Sequence, residues 1–249
     1  MRMMTDADGD DDDDCFLQAS SLFYSMPCNR SMTILLGTSF MFLRVALLPS
    51  TADTLETMED HPIHFAADRG DLGAVQRFIT EQPALMDRRD HDNRTPLLRA
   101  AYGGHAEMME WLLDQGADPE AHDVYRWHAL YIASHQGHTA LVSILLDRGF
   151  DINRRANHGM VPLMTAAVHG HVGVVELLLS RKEIEIDRQD NIGWTALYLA
   201  SFNNHSEVIE LLLRAGADPR ISDNDGDTPL GVARNYSYEE CIPLLEVSK

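Results

Sequence analysis

The chain is predicted to be all-α: a solenoid of stacked helix pairs. Three observations carry this. A short phrase returns about every 33 residues, helix-starting chemistry opens most copies, and an amphipathic stretch follows each one. The phrase reads His61-Pro-Ile-His-Phe-Ala-Ala, Thr95-Pro-Leu-Leu-Arg-Ala-Ala, His128-Ala-Leu-Tyr-Ile-Ala-Ser and Val161-Pro-Leu-Met-Thr-Ala-Ala. Thr195-Ala-Leu-Tyr-Leu-Ala-Ser and Thr228-Pro-Leu-Gly-Val-Ala-Arg complete the series.

Within each unit the order is helix, turn, helix, finger. Thr95-Pro96 and Thr228-Pro229 start helices, because a threonine oxygen accepts an orphan N–H and proline lacks the one that would be wasted. A short inner helix follows, with small pairs such as Ala100-Ala101 and Ala166-Ala167 that let neighbouring helices approach closely. It ends at a turn marked by Gly70, Gly104, Gly137, Gly170 or Asn204, residues suited to a left-handed conformation; Ser237 in the sixth unit is a poorer choice. The outer helix is amphipathic: Met108, Met109, Leu112 and Leu113 share a face, as do Leu141, Ile144 and Leu145. Val174, Leu177 and Leu178, then Val208, Leu211 and Leu212, repeat it. Polar stretches such as 89–94 and 222–227 read as tight hairpins joining one pair to the next.

These residues make the chain resemble the ankyrin-repeat family, most plainly in Met108–Asp123 and Val174–Asp190. The resemblance divides the chain into units at 56–89, 90–122, 123–155, 156–189, 190–222 and 223–249, with a tail at 1–55. It implies an all-α ankyrin solenoid of helix pairs linked by β-hairpin fingers, which recognises partners with its finger tips and the exposed side of its inner helices. The family's histidine at the fourth position of the phrase, which helps tie repeats together, survives only at His64. Leu98, Tyr131, Met164, Tyr198 and Gly231 replace it, so that network is expected to be mostly absent. One extra residue near Pro83–Leu85 and another within Lys182–Glu185 fall in loops. Pro243 lies in the second turn of the last outer helix, which is expected to be a short cap.

A net charge of −19 without a basic stripe argues against nucleic acid and anionic membrane surfaces. Cys15, Cys28 and Cys241 show neither disulfide nor zinc spacing, which fits a reducing compartment, the cytoplasm with the nucleus as a second location. Asp6–Asp14 reads as a solvated acidic run. Met32–Leu48 is apolar but shorter than the roughly 20 residues of a span and interrupted by Arg44, so membrane tethering is the lesser reading. Met58, just before the first phrase, offers an alternative start that would omit both segments.

His105, His138, His171 and His205 occupy one repeat slot, the mark of a structural role rather than a metal site. The runs Asp6–Asp10 and Asp223–Asp227 mimic calcium loops but lack the required glycine and glutamate. Neither a nucleophile elbow nor a phosphate loop is present. The expectation is a non-enzymatic protein-interaction module (adaptor, scaffold or inhibitor), monomeric and without cofactor or metal.

Two slots are free of the fold's demands. The one before the helix start holds Arg94, Trp127, Met160, Trp194 and Asp227; the one after the small pair holds Tyr102, His135, Val168, Phe202 and Asn235. Candidate protein-binding residues are Arg94, Tyr102, Tyr125, Trp127, His135, Met160, His169, Trp194 and Phe202, read as a contiguous aromatic strip over repeats two to five. Asp90, Asp92, Asp123, Asp225 and Asp227 would surround it with negative charge, which suits a basic, partly apolar partner segment. The alternative is that Trp127 and Trp194 pack on the stem of the adjacent finger.

Overall fold

Small residues in the inner helices and leucine-rich faces in the outer ones build two stacked layers. The computed structural model describes residues 61–247; the expectations for the acidic run, Met32–Leu48 and Met58 lie outside them. Six helix pairs follow in order: α1 (Pro62–Asp68) and α2 (Leu72–Glu81), α3 (Pro96–Gly103) and α4 (Ala106–Asp114), α5 (Ala129–Gln136) and α6 (Thr139–Asp147). Next come α7 (Pro162–Val168) and α8 (Val172–Leu179), α9 (Ala196–Phe202) and α10 (Ser206–Arg214), α11 (Pro229–Asn235) and α12 (Cys241–Val247). Each inner helix packs on the next, from α1 to α11, and the outer helices pack in series from α4 to α12. The two extra residues fall in loops: a 3-10 turn at Pro83–Leu85, and the turns after α8.

The helix starts obey the chemistry of their residues. Thr95, Thr195 and Thr228 accept from the backbone N–H of Leu98, Tyr198 and Gly231, and the His128 ring caps Tyr131 in the same way. Val161 gives α7 no side-chain cap. Ala67, Ala100, Ala101, Ala133, Ala166, Ala167 and Ala200 are wholly buried. So are the outer-helix residues Met109, Leu112, Val142, Leu145, Val175, Leu178, Ile209 and Leu212, each burial of this kind contributing about 1.5–3 kcal/mol. Leu113, Ile144, Leu177 and Leu211 are only half-buried, so the outer helices turn their core face slightly toward Val142, Val175 and Ile209.

Repeats are tied together by the recurrent histidine. Nε2 of His105, His138, His171 and His205 lies 2.8, 3.1, 2.9 and 2.8 Å from the main-chain oxygens of Asp68, Tyr102, His135 and Val168, one repeat back. A carbonyl only accepts, so each Nε2 carries the proton. Tyr238 fills the slot in the last repeat and donates its hydroxyl to Phe202 O at 3.2 Å. The fourth-position network, by contrast, is reduced to His64 Nε2 on Arg88 O at 2.8 Å, as its loss from the phrase implied. The structural reading of the four histidines is the one the geometry supports.

Asn204 and Ser237 adopt the same positive φ region as the turn glycines, although each carries a Cβ. Pro243 has no N–H for the preceding turn, and α12 begins only at Cys241 and spans seven residues.

The fingers are turns rather than ladders. Each is closed across its ends by a backbone bond, Asp90 N to Arg94 O, Asp123 N to Trp127 O, Ala156 N to Met160 O, Asp190 N to Trp194 O and Asp223 N to Asp227 O, with a tighter turn bond inside it. Among the described residues β-structure is limited to an isolated bridge between His122 and His128. Tips are stitched to one another by Val124 N to Asp92 O, Asn157 N to Tyr125 O, Asn191 N to His158 O and Asn224 N to Ile192 O.

Candidate interaction face

Each finger delivers its last residue to the start of an inner helix, and each inner helix ends in a free-slot residue. Side chains at these two positions therefore share one surface. Trp127 sits 4.8 Å from the His135 ring, and Trp194 sits 5.8 Å from Phe202, measured between centroids. Beneath them lie Tyr131 and Tyr198, at 5.1 and 5.2 Å. The recurrent histidines pin this surface from behind, because their carbonyl acceptors include Tyr102 and His135 themselves.

The rings form two clusters. In the first, Arg94 lies over Tyr102, Tyr102 faces Trp127, Tyr125 leans on Trp127, and His135 meets His169 edge-on at 4.3 Å. In the second, Trp194 and Phe202 continue through Tyr236 to Tyr238. Repeat four separates them: Met160 and Val168 are both 6% exposed and belong to the core. The expected contiguous strip is thus interrupted, and Met160 is not a surface residue. Arg94 is buried as well and is engaged with Asp92 at 2.9 Å.

The acidic surround is also smaller than the sequence suggests. Asp123 is 1% exposed; Oδ1 accepts from Tyr125 and Trp127 N–H, and Oδ2 from the Tyr102 hydroxyl. Burial raises its pKa against those bonds. Asp90 caps Asp92 and Arg94 N–H and pairs with Arg99. These carboxylates hold the fingers in shape, because an Asx side chain satisfies N–H groups that the turn leaves open. Asp225 and Asp227 remain exposed.

Both tryptophans are half-buried, so packing and exposure coexist. Trp194 also donates its indole N–H to Asp223 Oδ2 on the next finger, at 3.2 Å, which is the packing alternative realised at that site. Burial, then the bond and charge of Asp223, push Tyr198 well above the ordinary tyrosine range. His135 is held down to about 3 by burial, then by His169 and His171, and so is neutral. Tyr125 and Tyr236 stand out, 53% and 55% exposed. Tyr131, Tyr198 and Tyr238 were absent from the sequence-derived set; the recurring Trp-x-x-x-Tyr spacing at 127/131 and 194/198 was the available signal for the first two.

Among the described residues no cluster of three or more His, Cys, Asp or Glu could hold a metal ion, and no helix is long and apolar enough to cross a membrane.

Comparison with known proteins agrees with this architecture. A family profile described as ankyrin repeats (3 copies) matches residues 43–123, 116–190 and 182–246. Human ankyrin repeat domain-containing protein 49 is 42% identical over 57 residues, 23% of this chain and 24% of that protein. Mouse inversin is 39% identical over 70 residues, 28% of this chain and 7% of that protein. An Arabidopsis thaliana serine/threonine-protein kinase, VIK, is 41% identical over 61 residues, 24% of this chain and 14% of that protein. The matched stretches thus span a quarter or less of these relatives. The crystal structure of an ankyrin repeat domain from Acinetobacter baumannii AYE superposes with a TM-score of 0.67 at 32% identity, covering 76% of this chain and 98% of that one. Ankyrin repeats are in general protein–protein interaction modules. With nearly all of its repeat region matched, the chain belongs to the ankyrin-repeat family.

Proposed function

We propose that the array is a non-enzymatic adaptor, scaffold or inhibitor that binds a protein segment along the exposed side of its inner helices, as a monomer in the cytoplasm or nucleus. The observation that carries this is the pair of ring clusters centred on Trp127 and Trp194. The fold asks for small or apolar residues elsewhere, yet supplies large aromatics in slots it leaves free. Trp, Tyr and Arg dominate binding hot spots, where truncation commonly costs about 2 kcal/mol or more.

The binding set is Tyr102, Tyr125, Trp127, His135, His169, Trp194 and Phe202, with Arg94 and Met160 as support beneath. A partly apolar segment fits the two clusters, and basic residues suit the end nearest Asp225 and Asp227. If each repeat advances about 10 Å, the tryptophans lie about 20 Å apart, the reach of roughly six extended residues.

The test is partner capture with the full chain and with W127A/W194A. The double variant should stay folded and lose the principal partner by tenfold or more, about 1.4 kcal/mol. Equal capture by a folded double variant contradicts the proposal.

A further inference from the structure

Repeat three departs from its neighbours in three linked ways. Four described fingers begin with an aspartate, Asp90, Asp123, Asp190 and Asp223; the finger of repeat four has Ala156 there. In repeat five the corresponding carboxylate, Asp223, takes the indole N–H of Trp194. Trp127 occupies the equivalent slot in repeat three, faces the finger that has lost its acid, and makes no indole hydrogen bond among the described residues. Its ring is tilted 45° to Tyr131, whereas Trp194 lies at 18° to Tyr198.

The second departure is Arg126. The residue before the finger's last position has positive φ throughout: Asn93, Gly159, Gly193 and Gly226 are residues that tolerate it, whereas Arg126 does so at φ 58. A long cation in a left-handed slot breaks a local rule, and such breaks concentrate at functional positions. Its side chain is exposed and makes no ion pair or hydrogen bond among the described residues.

The third departure concerns the nearby charges. Asp123 is turned inward with both oxygens occupied, Glu120 pairs with Arg154, and Asp92 pairs with Arg94. His135 and His169 add no negative charge. Two adjacent residues thus offer donors with no acceptor, beside a finger that lacks its acid.

We infer that Arg126 and the Trp127 indole N–H receive an acidic side chain of the partner segment, an Asp or Glu that takes the part Asp223 plays toward Trp194. This rests on the binding face proposed above and adds a polarity to it. The partner places an acid over repeat three and its basic residues toward repeat six. A guanidinium and an N–H converging on one carboxylate form charge-assisted hydrogen bonds, stronger than neutral ones.

The experiment selects short peptides from a random displayed library on the full chain and measures synthetic copies by calorimetry. Selected peptides should be enriched in one Asp or Glu, and changing that residue to its amide should weaken binding by about tenfold. In the protein, R126Q should weaken the acidic peptide and leave the amide peptide almost unaffected, whereas W127F should weaken both peptides and the acidic one by more. A156D supplies an internal acid and should displace the peptide's own. Because R126Q leaves the ring cluster intact and the peptide change leaves the protein untouched, the test stands even if A156D is unstable.

The inference is overturned if no acidic enrichment appears, if the amide peptide binds equally, or if no peptide is selected. If W127A/W194A abolishes binding while the amide change has no effect, the face is right and the acid pocket is wrong. If neither matters, the face itself is wrong.

Discussion

Nε2 of His138 lies 3.1 Å from the main-chain oxygen of Tyr102, and its ring covers the left-handed turn at Gly104 of the preceding repeat. A Cβ at Gly104 would fall 2.8 Å from that ring, whereas one at Gly116 would meet nothing within 4 Å; both glycines have positive φ. Alanine at Gly116 should therefore cost only the left-handed penalty, about 1–2 kcal/mol. Alanine at Gly104 should cost about 1–3 kcal/mol more, from overpacking against the histidine. Urea denaturation of the two variants measures the difference, and equal costs would mean that the ring does not seat there.

Leu178 is fully buried in α8, between repeats three and five. Leu178→Ala should destabilise by about 2–5 kcal/mol. A loss below roughly 0.5 kcal/mol, the value of an exposed site, would place it off the core.

Val161→Thr should stabilise by about 0.5–1 kcal/mol. Thr95, Thr195 and Thr228 each cap the N–H three residues on, and at this slot the acceptor is missing for Met164. A thermal shift downward would show that the buried hydroxyl finds no donor.

Burial lowers the His128 pKa from 6.5 to about 4. The unfolded chain then binds more protons than the folded one between those values, so stability is present above pH 6.5 and falls as pH drops toward 4. The loss at pH 4 is about 3 kcal/mol. His128→Thr removes the titrating group and installs the residue type that Thr95, Thr195 and Thr228 supply at the same slot. Stability measured at pH 7 and pH 4 should fall further for the wild type than for H128T; parallel losses would show that His128 is not the sensor.

The fold was legible because repetition makes the same physical demand six times. Glycine at a positive φ, threonine at a helix start and leucine on an outer face recur in register, so one misread copy is corrected by the others. The face was only partly legible. The free slots were visible, but burial of Met160 depends on packing within repeat four, and inward rotation of Asp90 and Asp123 depends on N–H groups that only the turn reveals. In the sequence Tyr131 and Tyr198 stand only as replacements of a histidine; their second use, as floors for Trp127 and Trp194, requires the three-dimensional stack. The role of Tyr238 was equally hidden, because a tyrosine in a histidine slot resembles a departure until its hydroxyl is found on Phe202 O.

The most direct measurement places a photo-cross-linking amino acid at one position at a time and records which positions capture the partner. Tyr125 and Tyr236 mark the ring clusters, and exposed Glu110 marks the outer helix α4. Recognition at the inner-helix face gives cross-links from 125 and 236 and none from 110. Capture from 110 with silence at 125 and 236 would contradict it, moving recognition to the outer helices and leaving the aromatic clusters as packing alone.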